Sequence, residues 1–128
     1  MTDRDLLNIA MDAAQRAYAP YSRFPVGVAL ECADGSVFTG CNIENSSFGS
    51  TICAERAAVA KAVSEGRRQF VRMAIYGDGE NYCMPCGACR QVLSEFDTDG
   101  HMEILSTRTG GRYVSYHLAD LLPHPFIL

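Results

Sequence analysis

Three cysteines in two short segments constrain the fold of this chain more than any other feature of its sequence. Cys53 stands in the segment Cys53-Ala54-Glu55, and Cys86 and Cys89 follow at C-x2-C spacing further along the chain. A C-x2-C pair with a distant third cysteine is a common zinc-binding pattern. If one metal ion binds all three thiolates, the fold must bring the two segments together at one point.

Both segments are expected to begin helices, at about residues 53 and 87. The backbone N–H groups and positive dipole ends of two helices would then converge on the cysteines and favour thiolates, the form that binds metal. Residues i and i+2 do not share a face within a regular helix. Cys53 and Glu55 can therefore serve one centre only if that centre lies off the helix end, and placing Cys53 in the first turn meets this condition.

The same residues predict catalysis at this centre. Three cysteine ligands leave one position of tetrahedral zinc open, which is typical of catalytic zinc, and a water there is acidified. Glu55 can take the proton of this water and pass it to a substrate. Arg56 can offset the negative charge of three thiolates by donating hydrogen bonds to sulfur.

The cysteine spacing leaves two other metal sites open. Cys83 extends the run to C-x2-C-x2-C, so Cys53, Cys83, Cys86 and Cys89 can also hold a [4Fe–4S] cluster in an electron carrier. Four thiolates can equally make a closed structural zinc site. The carboxylate of Glu55 favours the catalytic reading, because a closed cluster has no use for it.

Composition limits the classes of function. A chain of 128 residues with 48% hydrophobic residues suits one compact domain over 1–128. Its net charge of -4 disfavours broad binding to nucleic acid or to an anionic membrane, and no stretch approaches the length of a membrane span. The amphipathic, acidic start does not resemble a signal peptide, so we expect a cytoplasmic protein with reduced thiols. Cys32 and Cys41 flank an expected hairpin and could meet across it, but we expect them to be ordinary buried thiols.

Hydrophobic periodicity predicts the order α-β-β-α-β-α-β-β-α. The fold class expected from it is α/β: a three-layer α/β/α domain with a mixed, roughly five-stranded sheet. The first helix is expected to begin after Thr2 and to stop at Pro20. Three further helices are expected to cover 53–64, 87–96 and 117–122. The expected strands cover 26–31, 36–40, 70–76, 102–106 and 113–115, with a loop at 41–51.

From about residue 17 to residue 126, the sequence resembles the small, single-domain cytidine deaminases that form homotetramers. The resemblance rests on AYAPYSRFPVG, GCNIEN, TICAER, VSEG, PCGACRQV and LLP followed by Phe126. It implies one zinc ion per subunit on Cys53, Cys86 and Cys89, with Glu55 as proton shuttle and Arg56 as charge-balancing partner. The activity implied is hydrolysis of cytidine or deoxycytidine to uridine or deoxyuridine and ammonia, in pyrimidine salvage.

The resemblance also implies a substrate pocket. Phe24, Asn42 and Glu44 match residues that pack against the pyrimidine and hold the ribose hydroxyls. The backbone N–H of Ala54 is expected to bind the pyrimidine 2-oxygen, and Phe126 matches an aromatic that reaches into the site of a neighbouring subunit. Without the resemblance, we would interpret Asn42 as a turn residue and Glu44 as a solvated loop charge. Phe24 and Phe126 would be interpreted as core residues.

Two positions depart from the family pattern. Phe48 stands where a tyrosine is expected, so a hydroxyl is missing there. Cys83 is not a family ligand and is predicted to be an inert or weakly reactive thiol. Some relatives act on other aminopyrimidine nucleosides, including blasticidin S, but the segment NIEN favours cytidine or deoxycytidine. No cluster of Lys and Arg surrounds the motifs, which counts against a nucleotide phosphate.

Overall fold

The computed structural model of the chain describes residues 1–97 and 99–128, and these form a five-stranded sheet with helices on both faces. The predicted order of elements is confirmed. The helices are α1 (Asp3–Ala14), α2 (Ala54–Ser64), α3 (Gly87–Ser94) and α4 (Leu118–Leu121). The strands are β1 (Gly27–Cys32), β2 (Val37–Cys41), β3 (Phe70–Tyr76), β4 (Glu103–Thr107) and β5 (Tyr113–His117). Short 3-10 turns cover Phe48–Ser50 and Thr109–Gly111.

The sheet is mixed, as expected. Its strand order is β2-β1-β3-β4-β5. β3 and β4 run parallel and are joined through α3, whereas the other neighbouring pairs are antiparallel. Because the crossover from β3 to its parallel neighbour β4 runs through α3, the loop 77–86 and the start of α3, which carry the second cysteine segment, lie on the side of the sheet edge where β3 ends.

Alternating apolar residues along the strands separate two cores. Residues of α1 pack on one face of the sheet, in a cluster of Leu6, Leu7, Ala10, Ala29, Ala74 and Leu105. Residues of α2, α3 and α4 pack on the other face, around Val28, Leu30, Met73, Ile75 and Ile104. Since successive strand residues point to opposite faces, this gives three layers, α/β/α.

A glycine allows β2 to lie directly against the start of α2. A Cβ atom on Gly40 would stand 2.3 Å from the carbonyl oxygen of Ala54 and 2.6 Å from the backbone nitrogen of Ala58. Only a residue without a side chain permits this approach. The close packing places the first turn of α2, with the first cysteine segment, beside the end of the β1–β2 hairpin.

The first helix is shorter than expected. Thr2 and Asp5 form a capping box at its start, with hydrogen bonds of 3.0 and 3.1 Å, although Asp stands where Glu is preferred. The helix ends at Ala14 and not at Pro20. The backbone of Tyr18 instead donates to Asn42 and accepts from Glu44, so the chain leaves the helix to pair with the loop after β2.

The hairpin register separates Cys32 from Cys41. Gly27 pairs with Cys41, whereas Cys32 lies at the opposite end, beside the turn. Both are free thiols, as expected, but only Cys32 is buried and Cys41 is half-buried. Within 1–97 and 99–128, no helix combines the length and hydropathy needed to cross a membrane.

Candidate metal centre and active site

The structure brings the three cysteines together. Cys53 is the N-cap of α2, Cys86 is the N-cap of α3, and Cys89 lies in the first turn of α3. Their sulfur atoms all lie within 4.8 Å of one another, and the Sγ atoms of Cys86 and Cys89 are 3.5 Å apart. Two helix N-termini therefore converge on one cluster, as the spacing predicted.

The geometry of these sulfurs fits zinc. With Zn–S bonds of about 2.3 Å, tetrahedral ligation places sulfur atoms about 3.8 Å apart, close to the separations in the cluster. The Cys89 thiol as hydrogen-bond donor, helped by the Arg56 guanidinium, lowers the pKa of Cys53 to about 5 despite burial. Zinc binding would release the remaining thiol protons, since thiolate is the ligand. Three sulfurs leave the fourth zinc position open.

Cys83 does not join this cluster. Its backbone N–H donates to the carbonyl of Thr107 at 2.8 Å, which holds the residue along β4. Its sulfur packs against Gly77, where a Cβ atom would stand 2.8 Å from it. Burial and the neighbouring Glu55 charge raise the pKa of the Cys83 thiol to about 11, which fits an inert thiol. The cluster is thus not the four-cysteine set that a [4Fe–4S] cluster or a closed zinc site requires.

Glu55 is positioned for proton transfer at this centre. It lies in the first turn of α2, directly after the N-cap cysteine, and its side chain is only 6% exposed. Burial raises the pKa of the Glu55 carboxyl to about 7, and the Cys53 thiolate acts in the same direction. A carboxyl with a pKa near neutrality can both accept and release a proton, as a shuttle must.

Arg56 lies against the same cluster. A guanidinium nitrogen is 3.7 Å from the sulfur of Cys53 and 3.4 Å from the carbonyl oxygen of Thr51. This contact agrees with its predicted role of offsetting thiolate charge. Its Nε atom is buried and has no hydrogen-bond partner within the part of the chain that the structure describes.

Asn42 and Glu44 both hold the loop that carries Phe24. The amide of Asn42 accepts from the N–H of Val26 at 2.9 Å and donates to the carbonyl of Phe24 at 3.0 Å. The carboxylate of Glu44 accepts backbone hydrogen bonds from Tyr21 at 2.9 Å and from Ser22 at 3.0 Å. An amide and a carboxylate can each form further hydrogen bonds. Asn42 and Glu44 therefore keep donors and acceptors for ribose hydroxyls, and ribose binding by them stays a prediction.

The Phe24 ring lies beside Cys83 and a glycine-rich segment. A Cβ atom on Gly77 would stand 3.0 Å from the Phe24 ring, and one on Gly79 would stand 3.1 Å from it. The ring is 37% exposed, so one part packs inward while another faces solvent. This arrangement is compatible with the predicted contact to a pyrimidine.

Ala54 and Phe126 differ in their relation to the cluster. Ala54 is buried at the first position of α2, where a helix supplies no acceptor for the backbone N–H. That N–H therefore has no partner within its own helix. Phe126 lies in the tail after α4 and is 71% exposed. The roles predicted for both residues remain predictions.

Two further residues connect to the predicted pocket but were not singled out from the sequence. Ser22 bonds both Glu44 and Phe24, and Gln91 bonds the backbone of Phe126 twice. Ser22 lies within AYAPYSRFPVG and Gln91 within PCGACRQV. Their positions inside these two motifs could have pointed to both residues, but nothing in the sequence shows which distant residues they contact.

The fold and this cluster define a class: an α/β/α protein with a three-cysteine cluster that fits zinc and a buried carboxyl in the adjacent helix turn. A sequence profile described as the cytidine and deoxycytidylate deaminase zinc-binding region matches residues 1–102. This chain belongs to the cytidine and deoxycytidylate deaminase family.

Curated relatives and a solved structure agree with that assignment. The chain is 49% identical over 114 residues to a cytidine deaminase from Sporosarcina psychrophila, covering 89% of this chain and 83% of the relative. It is 47% identical over 124 residues to one from Halalkalibacterium halodurans, covering 94% and 91%. The crystal structure of cytidine deaminase from Burkholderia pseudomallei superposes with a TM-score of 0.93 at 43% identity, covering 98% of this chain and 100% of that one.

Proposed function

We propose that this chain hydrolyses cytidine or deoxycytidine to uridine or deoxyuridine and ammonia, using one zinc ion. The observation that carries the proposal is the cluster of three cysteine sulfurs beside the buried carboxyl of Glu55. A closed metal site would not need this carboxyl, whose pKa is raised to about 7. The relatives of similar length are themselves named cytidine deaminases.

The residues of the centre have separate roles in this reaction. When bound by the three thiolates, zinc would supply Lewis-acid chemistry that lowers the pKa of the attacking water. Glu55 takes a proton from that water and delivers it to the pyrimidine ring nitrogen as C4 is attacked. It then takes the proton of the hydroxyl added at C4 and delivers it to the amine, which leaves as ammonia as the C4 carbonyl forms. Arg56 balances sulfur charge, and the Ala54 N–H binds the 2-oxygen of the ring.

The substrate we propose is a nucleoside. Ribose hydroxyls both donate and accept hydrogen bonds, and the paired amide and carboxylate of Asn42 and Glu44 suit them. Phe24 supplies an apolar surface for the pyrimidine. A site built for ribose hydroxyls should reject free cytosine strongly. Blasticidin S, an aminopyrimidine nucleoside antibiotic, is the second candidate substrate.

The assembly we propose is a homotetramer in which neighbouring subunits complete each site. Large apolar side chains are exposed on the side of the chain that carries the pocket loops, among them Tyr18, Tyr21, Ile43, Phe48 and Ile52. Phe48 is 79% exposed and Phe126 is 71% exposed, which agrees with burial against another copy. Sedimentation should give four chains per particle, and a fully active monomer would exclude this assembly.

The cellular role we propose is pyrimidine salvage in the cytoplasm, performed by one domain spanning 1–128. A small nucleoside substrate and a net charge of -4 are consistent with this role. Neither nucleic acid nor a membrane is a proposed partner.

The decisive experiment measures turnover and metal together. Purified protein is mixed with cytidine, the decrease in cytidine absorbance is followed, and zinc is measured in the same sample. Turnover with about one zinc per chain, together with an inactive Glu55→Gln variant, would support the proposal. Zinc without turnover of cytidine would direct the assay to blasticidin S. A brown, zinc-free protein would indicate an iron–sulfur cluster and exclude the proposal.

A further inference from the structure

The segment 21–26, here called the Phe24 loop, is attached to the chain after β2 at both of its ends. At its start, Oε1 of Glu44 accepts the N–H groups of Tyr21 and Ser22. At its end, the amide of Asn42 bonds the backbone of Phe24 and Val26. The two side chains proposed to bind ribose are therefore also the two that hold this loop.

The hydroxyl of Ser22 occupies a distinct position in this network. It donates to Oε2 of Glu44 and accepts from the backbone N–H of Phe24 at 3.1 Å. Because the Phe24 N–H occupies a lone pair of the hydroxyl oxygen, the proton of the hydroxyl is directed to Glu44. The hydrogen bond from Ser22 is the largest cause that lowers the pKa of the Glu44 carboxyl, which keeps it an ionised acceptor.

The hydrogen bond between the Phe24 N–H and the Ser22 hydroxyl spans a residue with an unusual backbone conformation. Arg23 has a φ of 55°, in the left-handed region that is costly for a residue other than glycine. Its N–H donates to the carbonyl of Ala19 at 3.0 Å, and the Ser22–Phe24 hydrogen bond spans it. Hydrogen bonds on both sides of Arg23 thus maintain a backbone turn that orients the Ser22 hydroxyl towards Glu44.

We propose that Ser22 is a positioning residue that orients the Glu44 carboxylate towards a sugar hydroxyl of the substrate. The proposal rests on the proposed function, since it assumes that Glu44 binds the ribose. One oxygen of Glu44 is occupied by two backbone N–H groups. Among the residues that the structure describes, the other receives only the Ser22 hydroxyl, so it retains lone pairs for a hydroxyl donor. Ser22 fixes the direction in which those lone pairs point.

The test compares two substrates in the zinc-loaded protein. Ser22→Ala should lower kcat/KM for cytidine about tenfold through KM, with kcat nearly unchanged, because a charge-assisted hydrogen bond that orients the acceptor is lost. For 2′,3′-dideoxycytidine, which lacks the sugar hydroxyls that Glu44 would accept, the same variant should change kcat/KM by less than about twofold. Ser22→Thr, which keeps the hydroxyl at an exposed position, should restore the KM for cytidine.

A matched control is available in the same chain. Ser36 also bonds a carboxylate with its hydroxyl, that of Asp34 at 2.5 Å, at the turn between β1 and β2, far from the cluster. Ser36→Ala should leave KM for both nucleosides unchanged. Equal losses on cytidine and dideoxycytidine would show that Ser22 only stabilises the loop and would overturn the inference, as would an unchanged KM in Ser22→Ala. Failure of the unmodified protein on cytidine would instead remove the proposed function.

Discussion

The side-chain amide of Gln91 makes two hydrogen bonds with the backbone of Phe126. It donates to the carbonyl oxygen at 3.0 Å and accepts from the N–H at 3.0 Å. Gln91 stands on α3, two residues after Cys89 of the cysteine cluster. The helix that begins at one metal site therefore also holds the tail whose aromatic side chain is proposed to complete the site of a neighbour.

Replacing Gln91 should release the tail that carries Phe126 from α3 without disturbing the metal site at the start of that helix. Gln91→Ala should leave zinc at a full complement but raise KM several-fold, because the tail loses both hydrogen bonds and Phe126 is no longer presented. Phe126→Ala should have the same effect, and the double variant should be no worse than either single variant, since both act through one contact. Gln69→Ala, at an exposed loop amide, serves as the control. Additive losses would show that Gln91 does not act through Phe126.

Replacing Glu55 should separate chemistry from metal binding. Glu55→Gln should keep zinc and cytidine binding but lower kcat by about 10²- to 10⁴-fold, the usual contribution of a positioned acid–base group. Steady-state kinetics and metal analysis check this outcome. The matched change Glu65→Gln, at the exposed C-cap of the same helix, should have no effect on kcat. Near-normal turnover in Glu55→Gln would exclude the shuttle role.

Removing a ligand should empty the metal site. Cys86→Ala should lose zinc and all turnover, because two thiolates bind zinc far less tightly than three. Cys83→Ala should retain zinc and activity, since its sulfur lies outside the cluster. Metal content is measured by mass spectrometry on both variants. A full metal content in Cys86→Ala, or its loss in Cys83→Ala, would contradict the ligand set.

Filling the space at Gly40 should disturb the site through the backbone. Gly40→Ala places a methyl group 2.3 Å from the Ala54 carbonyl, so β2 and α2 must move apart. We expect the free energy of unfolding to fall by about 3 kcal/mol and zinc binding to weaken. Gly49→Ala is the control, because beyond its two chain neighbours no atom of residues 1–97 or 99–128 lies within 4 Å of its added Cβ, and its φ is not left-handed. Denaturant unfolding of both variants measures the difference.

The hairpin turn offers a test of pH dependence away from the metal. Hydrogen bonds from Ser36, and then from Arg67, lower the pKa of Asp34 to about 2. A folded-state pKa below the unfolded one contributes stability that is present above the unfolded value of 3.8 and is lost as the pH falls towards 2. In Ser36→Ala, NMR titration should find the Asp34 pKa raised towards 3.8. An unshifted titration would contradict this cause.

The sequence alone determined the chemistry of the centre and the order of the elements. The sulfurs of Cys53, Cys86 and Cys89 lie together as their spacing predicted, because it places them at the starts of two helices, whereas the role of Glu55 stays a prediction. The alternation of apolar residues predicted the mixed sheet between two helical layers. These signals are local, since they depend on spacing along the chain and on helix and strand periodicity.

Only the tertiary structure decided which residues support the site. The exclusion of Cys83 follows from its contact with β4, and the early end of α1 follows from pairing between Tyr18 and the loop after β2. The links of Ser22 to Glu44 and of Gln91 to Phe126 join segments that are distant in the chain. Such contacts depend on how loops dock against each other in space, and no periodicity or spacing along the chain encodes them.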